Sequence, residues 1–108
     1  MAYDEVLAGR VRDGLRDVAG VTERKMFGGL AFMADGHLTV GVYGDGLIAR
    51  IGAAGMNEAM TEPGVRPFDM TGRPIRGIVV VAAETLDDSA LRRWIARARD
   101  HTASLPPK

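Results

Sequence analysis

The sequence predicts an α+β domain with a mainly antiparallel sheet, in the order helix, strand meander, short helix, further strand or strands, and C-terminal helix. Between residues 21 and 51 strand-like segments follow one another with no helical pattern between them, which is typical of antiparallel sheets. Helical patterns stand at both ends of the chain. At 108 residues and 46% hydrophobic, the chain fits one domain with a real core. We therefore expect a single domain over residues 1–105 and a tail at 106–108.

Residues 4–18 predict the first helix, because Leu7, Val11 and Leu15 recur at a spacing of four. Asp4 is placed to cap its start, and we expect Gly20 to end it in the left-handed conformation. Gly14 lies near the apolar stripe, and it is expected to let the helix approach the sheet closely.

The meander begins with a short, polar strand at residues 21–26, which is typical of a sheet edge, and continues with a second strand at 30–34. Asp35-Gly36 predicts a two-residue hairpin turn. In the third strand, 37–43, Leu38, Val40 and Val42 alternate and are expected on one face. Gly44-Asp45-Gly46 predicts another turn before a fourth strand at 47–51.

The second half opens with a short helix at 53–60, in which Met56 and Met60 are expected to face inward. Residues 65–74, punctuated by prolines and glycines, are interpreted as a long loop with either a functional role or a role as the cover of a sheet edge. Residues 75–82 predict an interior strand that is apolar on both faces. A last helix is expected from 87 to about 103, with a loose capping box at Thr85 and Asp88. Its apolar residues Leu91, Trp94, Ile95 and Ala98 are expected on one stripe.

The stretch KMFGG, residues 25–29, lies between two predicted strands. Its two glycines allow positive φ or close backbone approach, so a tight bend at a sheet edge is expected. Two interpretations stay open for it, a structural bend and a binding loop.

Composition excludes several kinds of function. Lysine plus arginine equals aspartate plus glutamate, at 14 each, which argues against a general affinity for nucleic acid. With no cysteine, disulfides, thiolate metal sites and cysteine nucleophiles are excluded. The chain starts with an acidic, helical pattern instead of a signal peptide, and no apolar run approaches the ~20 residues of a membrane span. We expect a cytoplasmic protein.

No catalytic constellation is visible. His37 and His101 do not stand in a metal-ligand pattern, and Ser89 and Ser104 lack the sharp turn that presents a nucleophile. The glycines form neither a P-loop nor a dinucleotide fingerprint. We therefore expect no enzymatic activity, no metal and no cofactor.

The remaining candidates are binding residues. Cations of the strand and loop half, Lys25, Arg50, Arg66, Arg73 and Arg76, suit carboxylates or phosphates. The alternative is internal ion pairing with Glu58, Glu62 or Asp69. Phe68 and Met70 are interpreted as core residues or as an apolar contact surface. The full candidate set is Lys25, Met26, Phe27, Gly28, Gly29, Arg50, Arg66, Phe68, Asp69, Met70 and Arg73.

Two motifs in this order, KMFGG at 25–29 and PGVRPFDMTGRP at 63–74, are followed by a strand and a helix that carries Trp94. Together they resemble the TfoX N-terminal domain family, from the first helix to Leu105. The resemblance implies a fold similar to secretion-chaperone-like α+β domains. It supplies no catalytic residues, and residues 25–29, Phe68 and Arg73 correspond only to signature positions. The family is named for regulators of natural competence, in which a C-terminal domain thought to resemble helix-hairpin-helix modules follows; the present sequence ends before such a domain.

These observations favour a non-catalytic regulatory or adaptor domain that acts through protein–protein interaction. The alternative is a sensor in which the meander and the 65–74 loop enclose a small anionic ligand between arginines. We also expect self-association as a homodimer, since an antiparallel sheet leaves an edge or a second face to cover.

Overall fold

The computed structural model describes residues 3–26, 28–69, 72 and 74–106. It contains one six-stranded sheet with helices packed on one face, which confirms the predicted α+β class. The elements, in chain order, are α1 (Glu5–Gly14), β1 (Val21–Met26), β2 (Gly29–Ala34), β3 (His37–Tyr43), β4 (Gly46–Arg50), α2 (Met56–Ala59), β5 (Val65–Asp69), β6 (Pro74–Ala82) and α3 (Asp88–Ala103).

The strand order is β1-β2-β3-β4-β6-β5, and every neighbouring pair is antiparallel. The first four strands form the predicted meander, and β6 takes the predicted interior position. Residues 65–69 form strand β5, so the loop predicted for this stretch is wrong there. Pro67 is compatible with a strand because β5 lies at the edge, where a missing N–H breaks no ladder on the outer side.

The main core lies between the helices and one face of the sheet. The predicted apolar stripes of α1 and α3 are buried in it, and they pack against alternate residues of the strands. The predicted cap of α1 is confirmed, because an Asp4 carboxylate oxygen accepts a hydrogen bond from Leu7 N at 3.0 Å. The helices of the described chain therefore lie on one face of the sheet, and the opposite face has no helix packed on it among the described residues.

The end of α1 differs from the prediction. The helix stops at Gly14, and Gly20 takes a φ of 80° in the turn before β1 instead of closing the helix. A Cβ at Gly14 would lie 2.9 Å from Ile95 Cδ1. The close approach at Gly14 is therefore with α3, and not with the sheet as predicted.

The start of α3 also differs. Asp87 is the N-cap, and its carboxylate accepts from Ala90 N at 2.7 Å. Thr85 lies in a short 3-10 turn, where its hydroxyl donates to Ala82 O at 2.8 Å. The predicted capping box is wrong because the Thr85 hydroxyl is already used by that turn.

A β-bulge interrupts the alternation of β3. Phe32 pairs with Val40 and Met33 with Leu38, which leaves Thr39 as the extra residue. Leu38 therefore lies on the face opposite Val40, contrary to the predicted alternation, because one inserted residue shifts the pattern by one position.

Two smaller predictions had different outcomes. The turn at Asp35 and Gly36 is confirmed, with φ angles of 51° and 85° that match the twist of a two-residue hairpin. In the short helix, Met56 packs against the core, but Met60 is 38% exposed and does not share that face.

Candidate binding surface

The sheet face opposite the helices is defined by the strand register. Residues directly opposite each other on paired strands share a face. One such row crosses the whole sheet from the β1 edge to the β5 edge; its members are Arg24, Ala31, Gly41, Ile48, Val80 and Arg66. Arg50 lies opposite Ile78 and belongs to the same face. We call this surface, marked by Arg24, Arg50 and Arg66, the open face.

The charged residues at the assigned strand positions of the open face are all positive. Its strand positions, as assigned by the register of the described strands, include three arginines and no carboxylate. Arg24 and Arg66 are exposed, and Arg50 is half-buried. Within the described part of the chain, none of the three takes part in an ion pair. These guanidinium groups are thus available for an external anion.

The apolar centre of this face is already filled. Ile48, Ile78 and Val80 form a second buried cluster with Phe68, which is 3% exposed. The Phe68 ring meets Tyr43 edge-on, with 5.4 Å between ring centroids and 80° between their planes. A register shift between Pro67 and Asp69 accompanies this contact. Phe68 is therefore a core residue. Since its cluster is buried, the arginines of the open face surround a filled apolar centre and not an apolar groove.

The candidates at the first hairpin are divided between the two faces. Lys25 lies opposite Leu30, whose side chain is in the helix-side core, so Lys25 is on the helix side of the sheet. Met26 follows Arg24 by two positions, shares its face and is 37% exposed. Gly28 has a φ of 76° in the turn, which bears out the tight bend, and Gly29 is buried in β2.

The structure therefore brings Met26, Arg50, Arg66 and Phe68 to one face and separates Lys25 from them. Asp69 is exposed at the end of β5, beyond the register shift. Three further candidates, Phe27, Met70 and Arg73, lie outside the described residues.

Arg24 was missing from the candidates that the sequence suggested. Only the strand register shows that Arg24 lies in the same row and on the same face as Arg66. The period of two along β1, with Arg24 two residues before Met26, was the available signal. That period could not show which face the helices cover.

None of the three predicted internal partners forms an ion pair with these arginines among the described residues, and Glu62 binds two other arginines instead. Glu62 accepts hydrogen bonds from Arg93 Nη1 at 2.6 Å and from Arg97 Nη1 at 2.7 Å, both on α3. Burial raises the pKa of Glu62, but the two arginines outweigh this effect and hold it below the usual range. The Arg97 guanidinium also lies 4.4 Å from the Trp94 ring centroid. Glu58 and Asp69 form no ion pair among the described residues.

Four cavities lined by described residues, with volumes from about 180 to about 380 Å³, lie around the helices instead of on the open face. One of about 330 Å³ lies between α1 and the first strands, with Leu15 and Phe32 in its lining. Beside it Arg12 donates two hydrogen bonds to the Glu23 carboxylate, at 2.6 and 2.8 Å. Those bonds hold the pKa of Glu23 below its usual range.

The histidines and Ser104 have structural contacts. His37 is buried, and its Nε2 lies 2.5 Å from the Pro106 carbonyl oxygen, so the predicted tail begins against the sheet. His101 lies against Gly52, where a Cβ would come within 2.7 Å of the ring. The Ser104 hydroxyl donates to the His101 carbonyl at 2.6 Å. Over the residues described, no three histidine or carboxylate groups come together in a metal-binding arrangement.

The chain also matches a known protein family. The family model of the TfoX N-terminal domain matches residues 13–102. The chain belongs to the TfoX N-terminal domain family. The matched range contains all six strands and therefore the whole open face. Membership suggests a regulatory domain of the kind found in competence-related proteins.

Neither the curated proteins nor the solved structures contain a match to this chain. Of the helices in the described residues, none combines the length and the apolar character required to cross a membrane.

Proposed function

We propose that this chain is a non-catalytic regulatory domain that acts by binding an acidic segment of another protein on the open face. The observation that carries the proposal is that three arginines and no carboxylate lie on one side of the sheet, two of them in one row across it, Arg24 and Arg66, and the third, Arg50, beside that row. Family membership supports the regulatory role, and we place that role in the cytoplasm.

Arginine determines the chemistry of the partner. A guanidinium group presents a planar fork of donors that matches carboxylate geometry, and its charge is permanent. Bonds between such groups and carboxylates are about twice as strong as bonds between neutral groups. A face with several arginines and no acid therefore favours a segment rich in aspartate or glutamate.

The distance between the arginines favours a macromolecule over a metabolite. Arg24 and Arg66 lie on opposite edge strands of a six-stranded sheet. Neighbouring strands lie about 4.8 Å apart, so the row spans about 24 Å in a flat sheet. An extended peptide covers that length in about seven residues. A small ligand could reach only part of the row, so the anionic-ligand sensor is the weaker candidate.

The test compares proteins captured from native lysate by three forms of the full chain: the unaltered protein, R24Q/R66Q and R92Q/R99Q. The last is a matched control, because Arg92 and Arg99 are exposed on α3 and form no ion pair with the described residues. We expect a protein with an acidic segment that the unaltered chain and the control retain and R24Q/R66Q loses. Equal capture by all three forms would contradict the proposal.

Thermal-shift screening separates the small-ligand alternative. A ligand present at about 100 times its Kd stabilises the folded state by about 2.7 kcal/mol. A phosphorylated or carboxylated metabolite that raises the Tm of the unaltered chain and the control, but not of R24Q/R66Q, would show that the open face serves a small anion. We expect no such metabolite.

A further inference from the structure

The two edges of the sheet differ in their capacity to pair with another strand. The β5 edge contains Pro67 and a register shift. Edge strand β1 has six residues and no proline, and all of them except half-buried Val21 are exposed. An edge of this kind offers a row of N–H and C=O groups to another chain.

The register shows which backbone groups of β1 point outward. Asp35 N donates to Gly20 O at 3.4 Å, and Met26 lies opposite Gly29 at the last position of the β1–β2 register. In an antiparallel pair, alternate residues direct both backbone groups toward the same neighbour. The even-numbered residues of β1 thus direct their backbone N–H and C=O groups toward β2. Val21, Glu23 and Lys25 direct theirs outward, away from the sheet.

We propose that β1 pairs antiparallel with β1 of a second copy of this chain, centred on Arg24. In this register Glu23 stands opposite Lys25 of the second copy, and Lys25 opposite its Glu23. Each of these pairs exchanges two backbone hydrogen bonds and brings opposite charges together. Registers centred on Glu23 or on Lys25 would pair that residue with its own copy and would form no pair of opposite charges between the two strands, whereas the proposed register forms two such pairs and one like-charge pair at Arg24.

Charges on an edge strand normally discourage pairing. Here Glu23 and Lys25, two positions apart on the same side of the strand, have opposite signs, and this makes the edge complementary to an antiparallel copy of itself. Lys25 forms no ion pair in the described part of the chain, while Glu23 already binds Arg12 and would be shared. The two Arg24 side chains meet on the open face, which costs some stability. The same pairing joins the two open faces into one continuous surface.

The inference concerns the β1 edge and is independent of the proposed acidic partner. Its main test uses the absence of cysteine from the chain. In the proposed register the two copies of residue 24 form a non-hydrogen-bonded pair with Cα atoms about 4.5 Å apart, within disulfide range. The R24C variant should therefore form a disulfide-linked dimer under mild oxidation.

The T22C and M26C variants are matched controls, because both residues share the strand and the face of Arg24. Each control cysteine would lie about 13 Å from its own copy along the pair of strands. We expect R24C to cross-link at least about tenfold faster than either control alone, and a mixture of T22C and M26C to cross-link with each other. Equal rates for the three single variants would overturn the register.

Charge reversal tests the same register without cysteine. Sedimentation equilibrium should show K25E and E23K self-associating about tenfold more weakly, and E23K/K25E recovering the original affinity. K25E leaves the Arg12–Glu23 pair intact, and the Tm of each variant verifies its fold. A chain that sediments only as the 11.6 kDa species at all concentrations would overturn the proposal. Self-association that is insensitive to both single reversals would also overturn it.

Discussion

At the residue scale, a substitution at Gly28 measures the cost of backbone strain without any cost from steric contact. It holds a φ of 76°, and a Cβ built on it would meet nothing within 4 Å. Any cost of a side chain there must come from the backbone conformation, which β-branched residues adopt only with strain.

We predict that Gly28→Val lowers the free energy of unfolding by roughly 1–3 kcal/mol, measured by chemical denaturation. Gly9→Ala is the control, because its Cβ would also meet nothing within 4 Å but the residue lies inside α1. Alanine is favoured in a helix interior, so Gly9→Ala should raise stability by up to about 1 kcal/mol. If both variants change stability in the same direction, backbone strain at Gly28 is not the cause.

Single residues also show where sequence interpretation was limited. The glycine bend at 28 could be predicted, because the requirement for positive φ is local. The bulge at Thr39 could not, because it depends on how β3 aligns with β2. Because the bulge was not predicted, the simple alternation put Leu38 on the wrong face.

At the element scale, Glu62 joins the turn after α2 to α3 through Arg93 and Arg97. The Glu62 side chain is 23% exposed, so these bonds are only partly screened by solvent. A folded-state pKa below the unfolded value of about 4.3 means that the stabilisation is present at higher pH. It is lost as the pH falls through the folded-state pKa.

We predict that Glu62→Gln destabilises the domain by roughly 1–2 kcal/mol at pH 7. The difference from the unaltered chain should shrink progressively below about pH 5, as measured by denaturation across pH. Glu58→Gln is the control, since Glu58 is exposed and unpaired among the described residues. A deficit in Glu62→Gln that stays constant down to pH 3 would contradict this account.

Element types with strong periodicity were predictable, and punctuated segments were not. The apolar stripe of α3 and the alternation of β4 identified both elements. Strand β5 was interpreted as a loop because Pro67 disfavours a strand in general, although an edge position tolerates it. Whether a strand lies at an edge depends on the strand order of the whole sheet, so the five residues of β5 alone could not predict it.

At the scale of the whole molecule, strand order determines which residues act together. The sequence predicted the class, the meander and the interior place of β6, because these follow from local patterns. The alignment of Arg24 with Arg66 arises only when all six strands pair, so no local pattern could reveal it. The charge of the open face is in this sense a product of the fold.

The most direct test of the central claim is an affinity measurement. The protein recovered by capture is titrated by calorimetry into the unaltered chain, R24Q/R66Q and R92Q/R99Q. We predict a loss of about tenfold or more for R24Q/R66Q and less than about twofold for the control, since only the first removes guanidinium–carboxylate bonds. Equal affinities for the two double variants would contradict the assignment of the open face as the binding surface.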